Sequence, residues 1–332
     1  PITLTKDEPP RLQNPVLPKG PLLDELGQST IHEWPTKSPN VYRVRERMYG
    51  QLAIADQWKW PEDFSHWGGW REKRVEGTGF YKTHHDGSRW WLVDPEGYLF
   101  WSTGLDCVGP HISAYCEGIE SALTWKPDTG REGYADYLHA NLVRAFGDEK
   151  WYENWSKITL SFLREVGINT VGNWSDWSMA QQAGFPYVRP LSMRLERTPT
   201  IYRDFPDVYH PNFDDDAARY GEQLRGTLDD PALIGYFLMN EPTWAFSTEL
   251  PAEGMLFNTE TCETRKELSR FLRKRYERDA ALSTAWGIDT SFSQIATGRW
   301  RTRLTKKAKE DLLDFSSIMV ERLFGTLSGA CK

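Results

Sequence analysis

Short apolar runs alternate with amphipathic stretches through the middle of the chain. From Trp155 to Val166 the apolar residues are spaced three and four apart, which is one face of a helix, and Gly167 ends that helix. Nearly uninterrupted apolar runs predict buried strands, and these runs cover residues 99–108, 168–172, 187–191 and 233–239. Strands of this kind that alternate with helices are typical of a parallel sheet covered by helices.

The first part of the chain follows a different pattern. Residues 1 to about 40 are rich in proline, glycine and charge and have no sustained period, so we expect an extended arm there. Two short strands, at 80–83 and 90–93, flank the turn Asp86-Gly87 and predict a β-hairpin.

Composition and charge narrow the classes of function. The 332 residues carry a formal net charge of −7, with lysine and arginine scattered among the acids, which argues against nucleic acid as a partner. No apolar run reaches the roughly 18 residues that cross a bilayer, so we expect no membrane partner. We predict no metal site and no other cofactor, because no CxxC or Cys/His ligand spacing occurs among Cys107, Cys116, Cys262 and Cys331.

Tryptophan is unusually frequent, with 16 Trp beside 14 Tyr and 15 Phe. One interpretation is a large core, because aromatic side chains carry much of the buried area of many cores. The other is a set of sugar subsites, because the flat indole face and its single N–H suit the C–H face of a sugar ring. The tryptophans in polar surroundings are Trp58, Trp60, Trp67, Trp70, Trp174, Trp177 and Trp244.

The strand predicted at 233–239 ends abruptly in Asn240-Glu241, and Pro242 prevents its continuation. Polar residues at the carboxyl end of a parallel strand point into the active-site mouth of α/β folds. A glutamate there, beside an amide that binds a sugar hydroxyl, suits general acid/base catalysis on a glycosidic bond. The alternative is a structural glutamate that caps the next helix or pairs with an arginine.

These residues also resemble a known family. Asn-Glu-Pro after an apolar fourth strand resembles clan A of the retaining glycoside hydrolases, and further segments are similar to the β-agarases of glycoside hydrolase family 50. Two of the segments are also similar to an insertion in the family 42 β-galactosidases. The similar segments are Leu23-Asp-Glu-Leu-Gly-Gln28, Glu33-Trp-Pro-Thr-Lys37, Gly68-Gly-Trp70, Gly79-Phe-Tyr81, Trp90-Trp-Leu-Val-Asp-Pro-Glu-Gly97, Ser102-Thr-Gly104, Phe271-Leu-Arg-Lys-Arg-Tyr276 and Ala281-Leu-Ser-Thr-Ala-Trp-Gly287.

The resemblance implies a (β/α)8 barrel that cleaves β-1,4 bonds of agarose or its oligosaccharides with retention of configuration. It implies that Glu241 is the general acid/base and Asn240 a substrate contact, and that the protein is secreted or periplasmic. The expected organisation is an arm and entry segment over 1–75, with a remnant of a carbohydrate-binding sandwich at 1–10, followed by the catalytic segment over 76–332 with a helical insertion at about 245–305.

Other strand ends supply candidate substrate contacts. Asp106 closes the first predicted strand, Asn173 and Trp174 follow the second, and Arg194 follows the third, so all would face the same barrel mouth. Further candidates are His111, which follows the first strand, and Trp244, which lies three residues past Glu241. Packing between loops is the alternative for the two tryptophans.

Only four barrel strands are predicted, and the amphipathic segments 265–278 and 309–327 after Glu241 predict helices. A retaining glycosidase needs a second carboxylate about 5 to 5.5 Å from the first, and no acid after Glu241 follows an apolar strand. We therefore expect a complementary C-terminal polypeptide to supply strands five to eight and the nucleophile. The alternatives are a clan A β-galactosidase or β-glucanase, or a non-catalytic carbohydrate-binding relative that lacks the nucleophile.

Overall fold

The computed structural model describes residues 18–332, and the sandwich remnant predicted at 1–10 lies outside them. The described residues divide into two compact units. Unit 1 comprises 18–78 and 82–186, and unit 2 comprises 79–81 and 187–332. The predicted boundary between an entry segment and a catalytic segment at 75/76 stays a prediction. Within the described range, no helix combines the length and the apolar character that crossing a membrane requires.

Unit 1 contains four helices and eight short strands. The helices are α1 (Val41–Ala55), α2 (Tyr137–Phe146), α3 (Trp151–Glu165) and α4 (Trp177–Gln182), with a 3-10 turn at Glu120–Ala122. The strands are β1 (Trp70–Arg74), β2 (Lys82–His85), β3 (Trp90–Val93), β4 (Tyr98–Phe100), β5 (Gly104–Leu105), β6 (Ala114–Tyr115), β7 (Tyr134–Ala135) and β8 (Thr170–Val171). The helical pattern from Trp155 to Val166 therefore predicted the greater part of α3.

The predicted hairpin is present in unit 1. Strands β2 and β3 pair antiparallel, with His85 opposite Trp90, and they belong to a four-stranded sheet of order β1-β4-β3-β2. The first strand of the hairpin begins two residues later than predicted, at Lys82. The Asp86 carboxylate shapes the turn, since it accepts hydrogen bonds from the backbone N–H groups of Ser88 and Arg89.

The single strand predicted over 99–108 is wrong in detail, because the chain changes partners within it. Strand β4 pairs with the hairpin sheet, whereas β5 pairs in parallel with β8. Between them, the backbone of Thr103 exchanges hydrogen bonds with Asn169, at 2.8 Å to its side-chain Oδ1 and 2.9 Å from its backbone N–H. The apolar run thus spans two short strands of different sheets.

Unit 2 is mainly helical. Its helices are α5 (Phe213–Gly221), α6 (Pro251–Asn258), α7 (Glu263–Tyr276), α8 (Asp279–Trp286), α9 (Phe292–Ala296) and α10 (Lys306–Ala330), with 3-10 turns at Glu222–Gly226 and Thr243–Phe246. Its strands are β9 (Tyr187–Pro190), β10 (Thr200–Tyr202), β11 (Phe205–Pro206) and β12 (Leu233–Phe237). Strands β9 and β12 are parallel, and β10 and β11 form a tight antiparallel pair.

The core of unit 2 lies between its helices. The long helix α10 buries a stripe of apolar residues spaced three and four apart, which is the face that its pattern predicts. This stripe consists of Leu312, Phe315, Met319, Leu323 and Leu327. In the described part of the chain, only helices and turns follow residue 241, as the sequence predicts.

Parallel strand pairs and covering helices agree with the predicted α/β class. The pairs are β5 with β8 in unit 1 and β9 with β12 in unit 2. Each pair has residues at its carboxyl end that were selected from the sequence as candidates for binding or catalysis.

Candidate active site

The loop after β12 carries the candidate acid/base. Glu241 is exposed, and its carboxylate makes no hydrogen bond or ion pair with any residue in 18–332. Its backbone has a φ of +40°, in the left-handed region that residues other than glycine rarely adopt. Such a conformation persists only when the surrounding structure holds it in place. The loop therefore presents an unpaired carboxyl group on a constrained backbone.

Asp204 provides that constraint. It lies in the turn between β10 and β11, and its carboxylate accepts three hydrogen bonds from the loop. The donors are the backbone N–H of Thr243 at 2.8 Å, the Thr243 hydroxyl at 2.6 Å and the backbone N–H of Trp244 at 3.0 Å. Partial burial raises the pKa of Asp204, but the hydrogen bonds from Thr243 and Trp244 outweigh burial, and the net pKa is lowered. The carboxylate is therefore ionised at neutral pH and fixes the two residues that follow Pro242.

Asn240 lines a cavity of about 470 Å³ beside this loop. The cavity wall also includes Asp204, Pro242 and apolar side chains of the segment after β9, among them Met193. A concave, largely apolar site with a few polar groups is the usual form of a small-ligand pocket. Asn240 thus has an amide at a cavity that a sugar residue could enter.

Trp244 has a packing contact in this structure. Its ring meets Phe205 edge to face, with centroids 5.1 Å apart, and the side chain is half-buried. Its indole N–H is buried and has no hydrogen-bond partner within residues 18–332. The predicted role in a sugar subsite stays a prediction, and the contact with Phe205 supports the packing alternative as well.

Arg194 lies on the other side of the segment that follows β9. It is exposed and lines a separate cavity of about 420 Å³ with Asp216 and Arg219. Residues 191, 193 and 195 line the cavity of Asn240, whereas 192, 194 and 196 line that of Arg194, as expected for an extended segment. The structure therefore does not bring Arg194 to the cavity that Asn240 lines.

In unit 1, the ends of β5 and β8 bring two candidates together. The backbone N–H of Cys107 donates to the carbonyl of Asn173 at 2.9 Å, so the two strand ends remain paired. Any side chain at Gly172 would collide with the Asp106 carboxylate, which places Asp106 against the residue that precedes Asn173. The Asn173 side-chain oxygen is buried without a partner in the described chain. These contacts agree with adjacent parallel strands ending at one edge.

Trp174 follows Asn173 and points toward solvent. Its side chain is 53% exposed, and its backbone has a φ of +57°. An exposed indole on a constrained backbone suits a sugar platform, and this role of Trp174 stays a prediction.

The His111 side chain lies close to the N-terminal end of α2 in space. Its Nδ1 is 3.2 Å from a carboxylate oxygen of Asp136, the residue that caps α2, and its ring packs near His139 and Trp151. The structure thus gives His111 a local role at a helix end, and no contact joins it to Asp106 or Asn173. Its predicted role as a substrate contact stays a prediction.

Sequence reasoning missed two acidic residues beside the candidate loop. No pattern identifies Asp204, because its partners follow it by about forty residues and the turn Tyr-Arg-Asp-Phe has no motif of its own. The second is Glu249, which lies in a polar segment and does not follow an apolar strand, so no pattern marks it as a catalytic acid. Hydrogen bonds from Ser247 and Tyr202 lower the pKa of Glu249 to about 2.

Glu249 lines a cavity of about 1000 Å³ in unit 2, together with Arg203, Glu253 and Glu260. Thr200 borders both this cavity and that of Asn240. In the described part of the chain, no cluster of three or more His, Cys, Asp or Glu side chains has the arrangement of a metal site.

Sequence comparison finds two similar proteins. The chain is 24% identical to Beta-agarase B of Vibrio sp. (strain JT0107) over 368 aligned positions, which cover 94% of this chain and 38% of that protein. It is 26% identical to Beta-agarase A of the same organism over 244 positions, which cover 60% of this chain and 24% of that protein. No family model matches the chain. The resemblance to β-agarases predicted from the motifs is confirmed by these similarities.

Structural comparison shows the same relationship at the level of the fold. An exo-β-agarase matches with a TM-score of 0.78 at 21% identity, and PfGH50B matches with a TM-score of 0.80 at 22% identity. Each match covers 94% of this chain and 52% of the solved chain. The chain spans about half the length of these structures and less than half the length of the two Vibrio relatives.

Proposed function

We propose that this chain is the half of a retaining β-agarase-like glycoside hydrolase that carries the acid/base, and that Glu241 is this residue. The observation that supports the proposal is the position of Glu241. Its exposed carboxyl group has no protein partner and follows a parallel strand, in a loop that Asp204 holds through Thr243 and Trp244. Asp204, whose role is structural, instead has three donors around it.

In the proposed reaction, Glu241 protonates the glycosidic oxygen while the nucleophile carboxylate, which a further polypeptide supplies, bonds to the anomeric carbon and the glycosidic C–O bond breaks. Glu241 then removes a proton from the water that displaces this carboxylate from the anomeric carbon. Asn240 donates its amide N–H to a hydroxyl of the sugar next to the scissile bond. Asp204 acts as a positioning residue for Glu241, because its hydrogen bonds fix the backbone of the loop that carries Glu241.

The proposed substrate is a galactan with β-1,4 bonds, namely agarose or agaro-oligosaccharides. The similarity to two β-agarases supports this choice over other galactans. Unit 1 offers further candidate sugar contacts in Asp106, Asn173 and the exposed Trp174. Because agarose is a large polysaccharide that stays outside the cell, the proposal includes secretion or a periplasmic location.

The nucleophile and the remaining barrel strands are proposed to come from a further polypeptide. Within the described residues, β12 has one partner strand, β9, and its Phe237 side chain is 38% exposed. An unpaired strand edge with an apolar face is a surface that proteins normally cover. The similar structures are about twice as long as this chain, which leaves room for four further strands.

A non-catalytic carbohydrate-binding protein is the second candidate. It is favoured by one observation, that no carboxylate of residues 18–332 contacts Glu241. This candidate predicts retained binding of oligosaccharides without hydrolysis.

Replacing Glu241 by glutamine separates these candidates. We expect at least a 100-fold loss of reducing-sugar release from agarose, because general acid/base catalysis contributes roughly 10²- to 10⁴-fold. The assay compares agarose, β-1,3-galactan and laminarin, using the chain alone and the chain with any polypeptide that copurifies with it. The matched control is Glu222→Gln, which removes an exposed carboxylate paired only with Arg225.

Hydrolysis of agarose by the wild type that falls at least 100-fold in Glu241→Gln and is retained in Glu222→Gln supports the proposal. Activity of Glu241→Gln within tenfold of wild type would rule out the assignment of Glu241. Binding of agaro-oligosaccharides without hydrolysis in every preparation would support the non-catalytic candidate instead.

A further inference from the structure

Three tryptophans selected from the sequence line a cavity in unit 1 that the proposed reaction does not use. The cavity has a volume of about 500 Å³, within the usual range for ligand pockets. Its walls include Trp58, Trp60 and Trp67, all half-buried, and the guanidinium of Arg164. Composition alone does not decide whether these tryptophans pack in the core or bind a sugar.

Arg164 is the unusual member of this cavity. Its guanidinium lies 5.2 Å from the ring centroid of Phe185 and 6.0 Å from that of Trp60. No carboxylate or carbonyl oxygen of residues 18–332 accepts a hydrogen bond from it. Burial lowers the pKa of Arg164, but an arginine stays protonated in proteins. A partly desolvated cation with five free N–H donors is therefore available to an anion.

The charges around the cavity also favour an anionic ligand. Lys59, Arg71 and Arg164 line it, against one acidic lining side chain, Glu62. The Glu165 carboxylate lies outside the lining and accepts a hydrogen bond from the backbone N–H of Lys59 at 3.3 Å. Arg71 uses one donor on the backbone carbonyl of Glu62, at 3.2 Å, and the Lys59 ammonium has no partner within residues 18–332. This local excess of positive charge stands in a protein whose net charge is −7.

The aromatic walls favour a saccharide among anionic ligands. The indole N–H of Trp60 donates a hydrogen bond to the carbonyl of His66 at 3.0 Å, and its ring packs against those of Phe64 and Phe185. These contacts fix the orientation of the Trp60 ring. The indole N–H groups of Trp58 and Trp67 have no acceptor in the described chain and can reach hydroxyl groups. A sugar ring offers both an apolar C–H face for indole and hydroxyls for these donors.

The cavity lies at the end of β8 opposite Asn173. Gly167 lies in the connection from α3 into β8, close to Phe64 and Pro61, which line the cavity. The carbonyl of Gly68, which follows the lining residue Trp67, accepts a hydrogen bond from the Asn169 side-chain amide at 2.8 Å. The candidate residue Asn173 follows the other end of β8. A ligand in this cavity would therefore lie at the other end of β8 from Asn173.

We propose that this cavity is an accessory binding site for a saccharide that carries a sulfate or carboxylate group. Arg164 binds the anionic group through its paired N–H donors, and Trp58 and Trp67 contact the sugar ring. The inference does not rest on the proposed reaction, because it requires binding and no hydrolysis.

Isothermal titration of the full chain tests the site with four probes. These are a sulfated galactan tetrasaccharide from carrageenan, a uronic acid tetrasaccharide from alginate, uncharged agarotetraose and inorganic sulfate. We expect one or both charged tetrasaccharides to bind, and the two arms show whether sulfate or carboxylate is preferred. Inorganic sulfate should bind at least tenfold more weakly, because it makes no contact with the tryptophans.

Arg164→Gln should weaken binding of the charged tetrasaccharide at least tenfold, because it removes a charge-assisted, two-point contact. The matched control is Arg89→Gln, since Arg89 also lies over a tryptophan, 5.7 Å from the ring centroid of Trp91, but outside this cavity. Arg89→Gln should change affinity less than twofold. Trp67→Ala should weaken the charged tetrasaccharide and leave the affinity for inorganic sulfate nearly unchanged.

Several results would overturn the proposal. One is that neither charged tetrasaccharide binds at a concentration of about 10 mM, which is on the order of the weakest useful affinity. The others are an affinity for inorganic sulfate equal to that for the charged tetrasaccharides, and equal losses of affinity in Arg164→Gln and Arg89→Gln. If Arg164→Gln lowers the melting temperature, Arg164→Lys and Trp67→Ala decide instead. An affinity unchanged in both of those variants would also contradict the site. Failure of agarose hydrolysis leaves all of these outcomes unaffected.

Discussion

Two aspartates of unit 2 each accept several hydrogen bonds, but in different surroundings. Asp204 lies in an exposed turn and accepts hydrogen bonds from two consecutive residues of the Glu241 loop. Asp311 lies on α10, is fully buried, and accepts hydrogen bonds from four side chains on three helices. The donors to Asp311 are Arg275 at 2.6 Å, Tyr276 at 2.6 Å, Trp286 at 2.8 Å and Lys307 at 2.8 Å.

Both carboxylates have a lowered pKa for the same reason. Burial raises the pKa in each case, and donated hydrogen bonds more than compensate, chiefly from Lys307 and Tyr276 at Asp311 and from Thr243 at Asp204. The difference lies in what the donors belong to. Asp311 joins helices α7, α8 and α10, whereas Asp204 binds two residues of one exposed loop.

The largest expected effect is therefore that of Asp311→Ala. It leaves the buried indole N–H of Trp286 without an acceptor and two cations without their shared partner. We expect a loss of about 3 kcal/mol in the free energy of unfolding, the range for breaking a buried ion pair. Chemical denaturation measured by circular dichroism tests this value.

Asp314→Ala is the matched control for Asp311. Asp314 binds the same guanidinium, Arg275, at 2.9 Å, but its side chain is 54% exposed. An exposed ion pair contributes about 0–1 kcal/mol, so the control should be nearly neutral. Equal losses in the two variants would show that burial does not distinguish these carboxylates.

A smaller effect is expected for Asp204→Ala. It removes three hydrogen bonds from an exposed loop, so the free energy of unfolding should fall by only about 1 kcal/mol. Hydrogen exchange at the backbone amides of Thr243 and Trp244 should accelerate markedly, because both lose their acceptor. If Glu241 is the acid/base, kcat should also fall while the affinity for substrate changes little.

Asp204→Asn and Asp289→Ala sharpen this result. The amide oxygen of asparagine can replace Oδ1, which accepts two of the three hydrogen bonds, so exchange should be intermediate. Asp289 is exposed and its side chain has no hydrogen bond within residues 18–332, so its removal should leave the loop unchanged. Unchanged exchange in Asp204→Ala would contradict the positioning role.

The smallest effect is a dependence on pH. The folded pKa values of Asp311 and Asp204 are lowered below the value of about 3.9 in an unfolded chain, so their stabilisation is complete above that value. It is lost as the pH falls through the lower, folded pKa. The difference in stability between wild type and Asp311→Ala should thus be constant from pH 8 to pH 5 and shrink below about pH 4.

Chemical denaturation of wild type and Asp311→Ala at several pH values measures this difference in stability, and two results would contradict the prediction. A difference that changes between pH 8 and pH 5 would point to another titrating group. A difference that grows on acidification would show that the pKa of Asp311 is raised rather than lowered.

Much of the local structure could be predicted from the sequence. The apolar runs located β9 and β12, and the spacing of apolar residues located α3, α7 and α10, because both periods are properties of consecutive residues. The same reasoning placed Asn240 and Glu241 at the end of a parallel strand. It failed between β4 and β5, since one apolar run does not show that the chain changes sheets.

The sequence by itself determined these elements, the acid at the end of β12 and the resemblance to β-agarases. Only the tertiary structure decided that Asp204 holds residues 243 and 244, that Asp311 joins three helices, and that Arg164 lies beside Trp60 without an anionic partner. Periodicity records which face of an element is apolar, but not which distant element meets that face. Hydrogen bonds between residues far apart in the chain depend on that meeting, so no local pattern contains them.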